Sequence, residues 1–336
     1  MTSIAIATPA RPSARSGNHV TATRWATLLR QFGHEVAVVP FAEQADPATS
    51  VATTLGGAGV LIALHARRAA TIVDWWTEHR AGQPVIVALT GTDLYRDLPG
   101  DRQAAATIER ADAVIVLQRS AVDRLERMRQ EWAAKSVVVH QSVDPTSIRP
   151  RQLIDGEFRV VVLAHLREVK DPLLAARAAR LLPASSSVMV HHAGGALDDE
   201  WQQLAEEEHA TNPRYHWHRE VDGPAAMSLL ASADLLACTS RAEGGANVVT
   251  EAIATGVPVV GTSIDGNTGL LGADYPGLVP VGDHAALAHR LDQLERNPPA
   301  LADLDQRVAA LRSITEPAAE QAALAAVLAV AQRRNS

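Results

Sequence analysis

Cysteine is almost missing from this chain: Cys238 is the one example in 336 residues. A single thiol excludes an internal disulfide framework and suits a reducing cytosol. Lysine is nearly as scarce, since only Lys135 and Lys170 are lysines among 31 Lys+Arg. No apolar run approaches the ~18 residues of a membrane span. Residues 1–34 contain Arg11, Arg15, Arg24 and Arg30 and no acid. That is the composition of a transit peptide, yet "IAIATP" begins so early that it reads as a first core strand, and a cytoplasmic location is expected. No G-x-G-x-x-G follows that strand, which removes a dinucleotide-dependent oxidoreductase. The net charge of −7 is uneven, at +2 over residues 1–150 and −9 over the rest. Neither part is basic enough for nucleic acid, although the front half favours anions more than the back.

What the chain does have is a repeating series of short apolar runs. They predict strands near 3–8, 35–39, 59–64, 84–90, 112–118 and 136–140, with helices at 20–32, 66–81, 102–111 and 119–134. "SVDPTSIRPRQLIDGE" then breaks the pattern with two prolines and reads as a linker. Strands resume near 158–165, 186–193, 214–218, 234–238, 257–262 and 277–281, with helices near 171–182, 198–210, 224–232, 247–255 and 284–296. Two helical stretches, 300–312 and 317–333, end the chain. Near-continuous apolar strands alternating with helices predict α/β architecture with parallel sheets covered on both faces. The expected organisation is two tandem Rossmann-like domains, 1–148 and 157–312. Ligands of such sheets sit at the carboxyl ends of the strands, and the cleft between two facing domains is the expected site.

The most informative stretch is "TSRAEGGANVVTEAIATGVPVVGT", residues 239–262. A strand ends at Cys238, and a loop with Gly244 and Gly245 opens a helix near Asn247. Amides at a helix start, with the helix dipole, bind phosphate or polar hydroxyls. Glu243 stands before the helix and Glu251 on its second turn, in E-x7-E spacing. A carboxylate there suits a vicinal diol, because each oxygen accepts one hydroxyl proton. Two such glutamates can also be merely solvated; the Gly-Gly loop, helix start and following "GVPVV" strand favour a functional pair.

Four further stretches carry candidates. "AHLREVKDP" (164–172) places His165, Arg167 and Lys170 after the first strand of the second domain. A cation is unusual at a helix start, where acids are favoured, so a ligand role for Lys170 is preferred over a solvated one. "VLIALHARRAAT" (60–71) puts His65, Arg67 and Arg68 at the end of a core strand, a concentration of charge fitted to an anion. "LTGTDLYRDLPG" (89–100) offers Thr90, Thr92, Asp93, Tyr95 and Arg96. "TPARPSARSGNHVTATRW" (8–25) is a polar loop containing Gly17 and Asn18. His191, His192, His216 and His218 lie on neighbouring strands; such pairs are usually surface or core polar residues, and no metal is expected.

The E-x7-E stretch resembles that of the retaining, family-4-type glycosyltransferases of the GT-B fold. The resemblance covers nearly the whole chain and implies an enzyme without a cofactor or metal. It implies that Glu243 faces the donor sugar and Glu251 holds the nucleotide ribose. The amides of Gly244, Gly245, Ala246 and Asn247 would contact sugar and diphosphate. The family's Gly-Arg-Leu is replaced here by Ala164-His165-Leu166, while Lys170 falls on the family's lysine. Lys170, with Arg167 substituting for the missing arginine, would neutralise the departing UDP. Gly17 and Asn18 match a loop near the donor phosphate, and 317–334 would cross back onto the first domain. The strings "GNHVTATRW", "ALHARRAAT", "LTGTDLYRDL" and "HLREVKDP" further resemble one branch, the selenosugar synthases of selenoneine biosynthesis. That implies UDP-GlcNAc, or UDP-glucose, as donor and selenophosphate as acceptor. His65, Arg67, Arg68, Thr90, Thr92, Asp93 and Tyr95 would form the acceptor side, with no nucleic-acid or membrane partner. Another phosphorylated or hydroxyl acceptor, and a non-catalytic two-lobed nucleotide-sugar-binding protein, stay open as alternatives.

Overall fold

The computed structural model describes residues 2–9, 17–42, 52–98 and 100–334. The chain divides into two units, Met1–Gln141 with Pro317–Ser336, and Ser142–Glu316.

The first unit is built on six parallel strands: β1 (Ser3–Thr8), β2 (Glu35–Pro40), β3 (Val60–Leu64), β4 (Val85–Ala88), β5 (Ala113–Val116) and β6 (Ser136–Val138). Their order is β2-β1-β3-β4-β5-β6. Every residue of β3, β4 and β5 is buried, as expected where helices cover both faces of a parallel sheet. Trp76, from helix Ala70–His79, fills one face. Trp25, from helix Gly17–Gln31, fills the other with Ile4, Ile62 and Ile115. The chain's last helix, Pro317–Arg334, returns to this second face through Leu324, Val327, Leu328 and Ala331. Glu320, only 1% exposed, anchors it. Its carboxylate accepts from the Trp25 indole at 2.7 Å and pairs with Arg24 Nε at 3.0 Å, which offsets the cost of burying the charge.

The second unit repeats the plan with β7 (Phe158–Leu163), β8 (Val188–Ala193), β9 (Tyr215–Trp217), β10 (Leu235–Cys238), β11 (Val259–Thr262) and β12 (Leu278–Val279). All are parallel, in the order β12-β11-β10-β7-β8-β9.

Several boundaries differ from the sequence reading for local reasons. Residues 142–148 belong to the second unit, where Val143 N donates to Thr315 O at 2.9 Å. The helix expected over 66–81 begins only at Ala70, because His65 sits in left-handed backbone at φ 75°. The one expected from 171 begins at Leu174, after a left-handed Asp171 at φ 41°. The stretch 119–134 is broken at the extended Arg129 into Arg119–Met128 and Gln130–Ala133. Helices Ala52–Gly56 and Asp265–Leu271 lack a sequence counterpart. Within the loop read at 8–25, residues 10–16 lie outside the described residues, and the helix starts at Gly17 rather than 20. Among the described residues no helix is long and apolar enough to cross a membrane.

Candidate active site

In the second unit the strand order turns at β7 and β10, which pair with each other while their successors run outward in opposite directions. Ligands of open parallel sheets bind outside the carboxyl ends of strands at such a point. The loops leaving these strands, 164–171 and 239–246, hold the strongest sequence candidates. They are stitched together by backbone and hydroxyl. Arg241 N donates to Val169 O at 2.8 Å, and Thr239 Oγ1 lies 3.1 Å from Lys170 O and 3.0 Å from Asp171 O.

The stitching brings Lys170 onto Glu243. Its Nζ donates directly to Glu243 Oε1, with the two side chains 18% and 13% exposed. Ser240 Oγ donates to the same carboxylate oxygen at 2.7 Å. Gly266 backs this arrangement: a Cβ there would lie 2.6 Å from Glu243 O, so any side chain would push the carboxylate out of place. Beyond the Gly244–Gly245 loop, helix Asn247–Thr255 starts at Ala246 without a side-chain cap, and half-buried Glu251 lies on its second turn. A cation, a carboxylate and a helix N-terminus thus occupy one end of the sheet, an arrangement suited to a phosphorylated, hydroxyl-bearing ligand.

His165 and Arg167 are exposed on the loop after β7, apart from the bonds that join Lys170, Ser240 and Glu243. The start of that loop is held by a histidine in a way the sequence did not reveal. His192 Nε2 donates to Ala164 O at 2.8 Å, and its Nδ1 accepts from Tyr215 Oη at 2.7 Å. Gly194 lies so close that a Cβ would fall 1.9 Å from Ala164 O. Burial lowers the His192 pKa to about 4. His218 is also lowered to about 4, by burial and then by the neighbouring His216 and His191. His191 Nδ1 and His218 Nε2 are 3.0 Å apart, while His191 Nε2 faces Glu157 at 3.3 Å. Among the described residues no group of three or more His, Cys, Asp or Glu is arranged to hold a metal ion.

These depressed values carry a pH dependence. The unfolded chain takes up protons near the ordinary histidine value, and the folded chain refuses them. Stability from these groups is full above the unfolded value of 6.5 and falls as the pH drops towards about 4. The buried His192, displaced from 6.5 to about 4, corresponds to about 3 kcal/mol once that window is crossed. The thermal midpoint is expected to fall steadily across it in calorimetry; a flat midpoint down to pH 4.5 would contradict this reading.

In the first unit the order turns at β1 and β3. His65, at the end of β3, is 1% exposed. Its Nδ1 accepts from Arg68 N at 3.4 Å, leaving Nε2–H to donate to Thr92 Oγ1 at 3.0 Å. Burial, with a smaller contribution from Arg68, holds its pKa below the ordinary value against the opposing pull of Asp93. The imidazole is therefore a neutral donor that orients the Thr92 hydroxyl. Arg67 and Arg68 are both half-buried. Arg67 Nε donates to Asp97 Oδ2 at 3.0 Å and Arg96 Nε to Oδ1 at 3.2 Å. Burial raises the Asp97 pKa, but these hydrogen bonds prevail and leave it below the usual carboxylate value.

Asp93 has a different part from the acceptor contact expected of it. It is fully buried, and its carboxylate accepts from the amides of Ala66 at 3.0 Å, Thr90 at 3.0 Å, Gly91 at 2.8 Å and Leu94 at 3.0 Å. It thereby ties the loop after β3 to the loop after β4. A turn of π-helix, Asp93–Asp97, follows, a form frequent at functional sites. Tyr95 Oη accepts from Gln118 Nε2 at 2.7 Å. Thr90 and Thr92 are partly exposed. Gly17 and Asn18 form the first turn of helix Gly17–Gln31.

Comparison with known proteins places these observations. Residues 144–310 match the family model described as Glycosyl transferases group 1. No curated protein matches the chain. Among solved structures, HepE from Anabaena, solved with UDP-glucose, is similar over 98% of this chain and 100% of its own, with a TM-score of 0.77 at 15% identity. Sucrose-phosphate synthase from Thermosynechococcus elongatus covers 98% of each chain, with a TM-score of 0.72 at 16% identity. The lipopolysaccharide outer core galactosyltransferase WaaB is similar over 97% of this chain and 99% of its own, with a TM-score of 0.71 at 12% identity. The shared fold is GT-B.

Proposed function

From the glycosyl transferases group 1 domain in residues 144–310, we propose that this chain is a retaining glycosyltransferase. It takes a sugar, GlcNAc, from UDP-GlcNAc and passes it to selenophosphate. The observation that carries the donor half is the Lys170–Glu243 pair at the head of helix Asn247–Thr255, with Glu251 on the same helix. The fold shared with a protein solved with UDP-glucose supports a UDP-sugar. The acceptor half rests on the front-half strings and on the basic end of β3.

In this reading Glu251 takes the ribose diol and Glu243 a sugar hydroxyl. The amides from Gly244 to Asn247 face sugar and diphosphate, with Gly17 and Asn18 near the donor phosphate. Lys170, with Arg167 and His165 on the same loop, offsets charge on UDP as the anomeric C–O bond breaks. Arg67 and Arg68 hold the phosphoryl oxygens of selenophosphate, and His65 presents the Thr92 hydroxyl. Thr90 and Tyr95 complete that wall. Selenium attacks the anomeric carbon, a C–Se bond forms and UDP leaves. Hydrolysis of the Se–P bond releases phosphate and leaves a 1-seleno-sugar. Selenophosphate is already an anion with a polarisable nucleophile, so the step needs no strong general base. Positioning and neutralisation of the leaving group supply the catalysis.

The division between the glutamates is testable. Glu251→Gln is expected to weaken UDP and UDP-GlcNAc alike, whereas Glu243→Gln weakens UDP-GlcNAc more than UDP. Calorimetric titration of both variants with both ligands separates the roles. Equal losses for both ligands in both variants would remove this assignment.

A further inference from the structure

Asp171 follows Lys170 and adopts a left-handed backbone, φ 41° and ψ 54°. A side chain there is strained, and Pro172 restricts the residue before it further. Glycine would relieve that strain. The chain instead keeps a carboxylate and buries it, leaving the side chain 6% exposed. Both oxygens are used: Oδ1 accepts from Arg177 Nη2 at 2.7 Å and Oδ2 from Arg241 Nη2 at 2.8 Å. Arg177 lies on the helix that Asp171 precedes, but Arg241 belongs to the other loop, two residues before Glu243. The Asp171 carbonyl also lies 3.0 Å from Thr239 Oγ1, and Arg241 N donates to Val169 O at 2.8 Å. The charged bond is therefore the side-chain member of a seam whose two edges carry Lys170 and Glu243.

We infer that Asp171 is a positioning residue for the nucleotide: by holding Arg241 it sets the loop bearing Glu243 against the loop bearing Lys170. Strain at such a residue persists where the surroundings over-determine it. Here the contact of the buried carboxylate with two partly exposed arginines performs that part. The inference rests on the UDP-sugar reading and deepens it. It assigns Asp171 and Arg241 no contact with the reacting atoms.

The test is calorimetric titration of UDP into wild type, Asp171→Gly, Asp171→Asn and Arg241→Met, with thermal midpoints of the same samples. Glycine accepts the left-handed backbone and removes only the carboxylate. Asp171→Gly is therefore expected to keep its midpoint while its UDP Kd rises about tenfold or more, the loss of a charge-assisted bond. Asp171→Asn and Arg241→Met should lose a similar factor. The double variant Asp171→Gly/Arg241→Met should lose no more than Asp171→Gly alone, because both changes break the Asp171–Arg241 bond. Arg241→Lys, which keeps the charge and loses the fork, should recover part of the affinity. The KM for UDP-GlcNAc should rise with the Kd while the acceptor KM stays fixed. A folded Asp171→Gly that binds UDP within twofold of wild type overturns the assignment, as does a lowered midpoint with UDP affinity intact. A wild-type chain that binds no UDP removes the nucleotide-sugar reading itself, and this assignment with it.

Discussion

Lys170→Ala is expected to lower kcat by about 10²–10³, the usual cost of removing one preorganised electrostatic stabiliser. Lys170 Nζ is held on Glu243, and Ser240 Oγ supports the same oxygen from the other loop. The ammonium is mostly shielded, at 18% exposure, so a negative charge brought to it is screened less than at an open surface. Developing charge on departing UDP is such a charge. Alanine leaves Glu243 with the Ser240 hydroxyl and removes no core side chain, so the variant should fold. Its UDP-GlcNAc KM should move less than its kcat, because the ammonium contributes most where the charge is greatest. Turnover within twofold of wild type would remove Lys170 from the mechanism.

The second large effect concerns the end of β3. The double change Arg67→Ala/Arg68→Ala is expected to raise the selenophosphate KM by about two to four decades, since each charge-assisted hydrogen bond contributes about 1.5–3 kcal/mol. UDP affinity should barely change. Asp97 anchors Arg67 through Nε, which fixes the plane of the guanidinium and limits the ordering cost when an anion binds. A single Arg→Lys change should also raise KM, because an ammonium keeps the charge and loses the fork. A purely structural part for the pair predicts a lower thermal midpoint and equal damage to both substrates. An unchanged acceptor KM in a folded double variant would dismiss the anion pocket.

Much of this was legible because the controlling signals are local. Runs such as "VLIAL" and "VIVA" are buried along their whole length, so apolar continuity alone located the strands. The E-x7-E stretch spans one loop and one helix, Asn247–Thr255, whose bounds were as predicted. Lys170 drew notice because lysine is rare and a cation is unusual at a helix start. Other features depend on contacts remote in sequence. Asp93 reads as a ligand from its place in the polar loop after the fourth strand; four amides, one of them Ala66 N, bury it instead. His192 reads as one of several strand histidines until Ala164 O and Tyr215 are placed around it. Asp171 carried a signal of its own, an acid wedged between Lys170 and Pro172 where a helix was expected. The left-handed turn that gives it meaning is a backbone property with no compositional signature. The delayed helix starts at Ala70 and Leu174 have the same origin.

The most direct measurement incubates the purified chain with UDP-GlcNAc and, in parallel, selenophosphate, thiophosphate or inorganic phosphate, and follows UDP and sugar products by mass spectrometry. UDP together with a 1-seleno-N-acetylglucosamine is expected in the selenophosphate reaction, with weaker transfer to thiophosphate and none to phosphate. UDP released at the same rate with and without selenophosphate, and no selenium in any sugar product, would contradict that expectation.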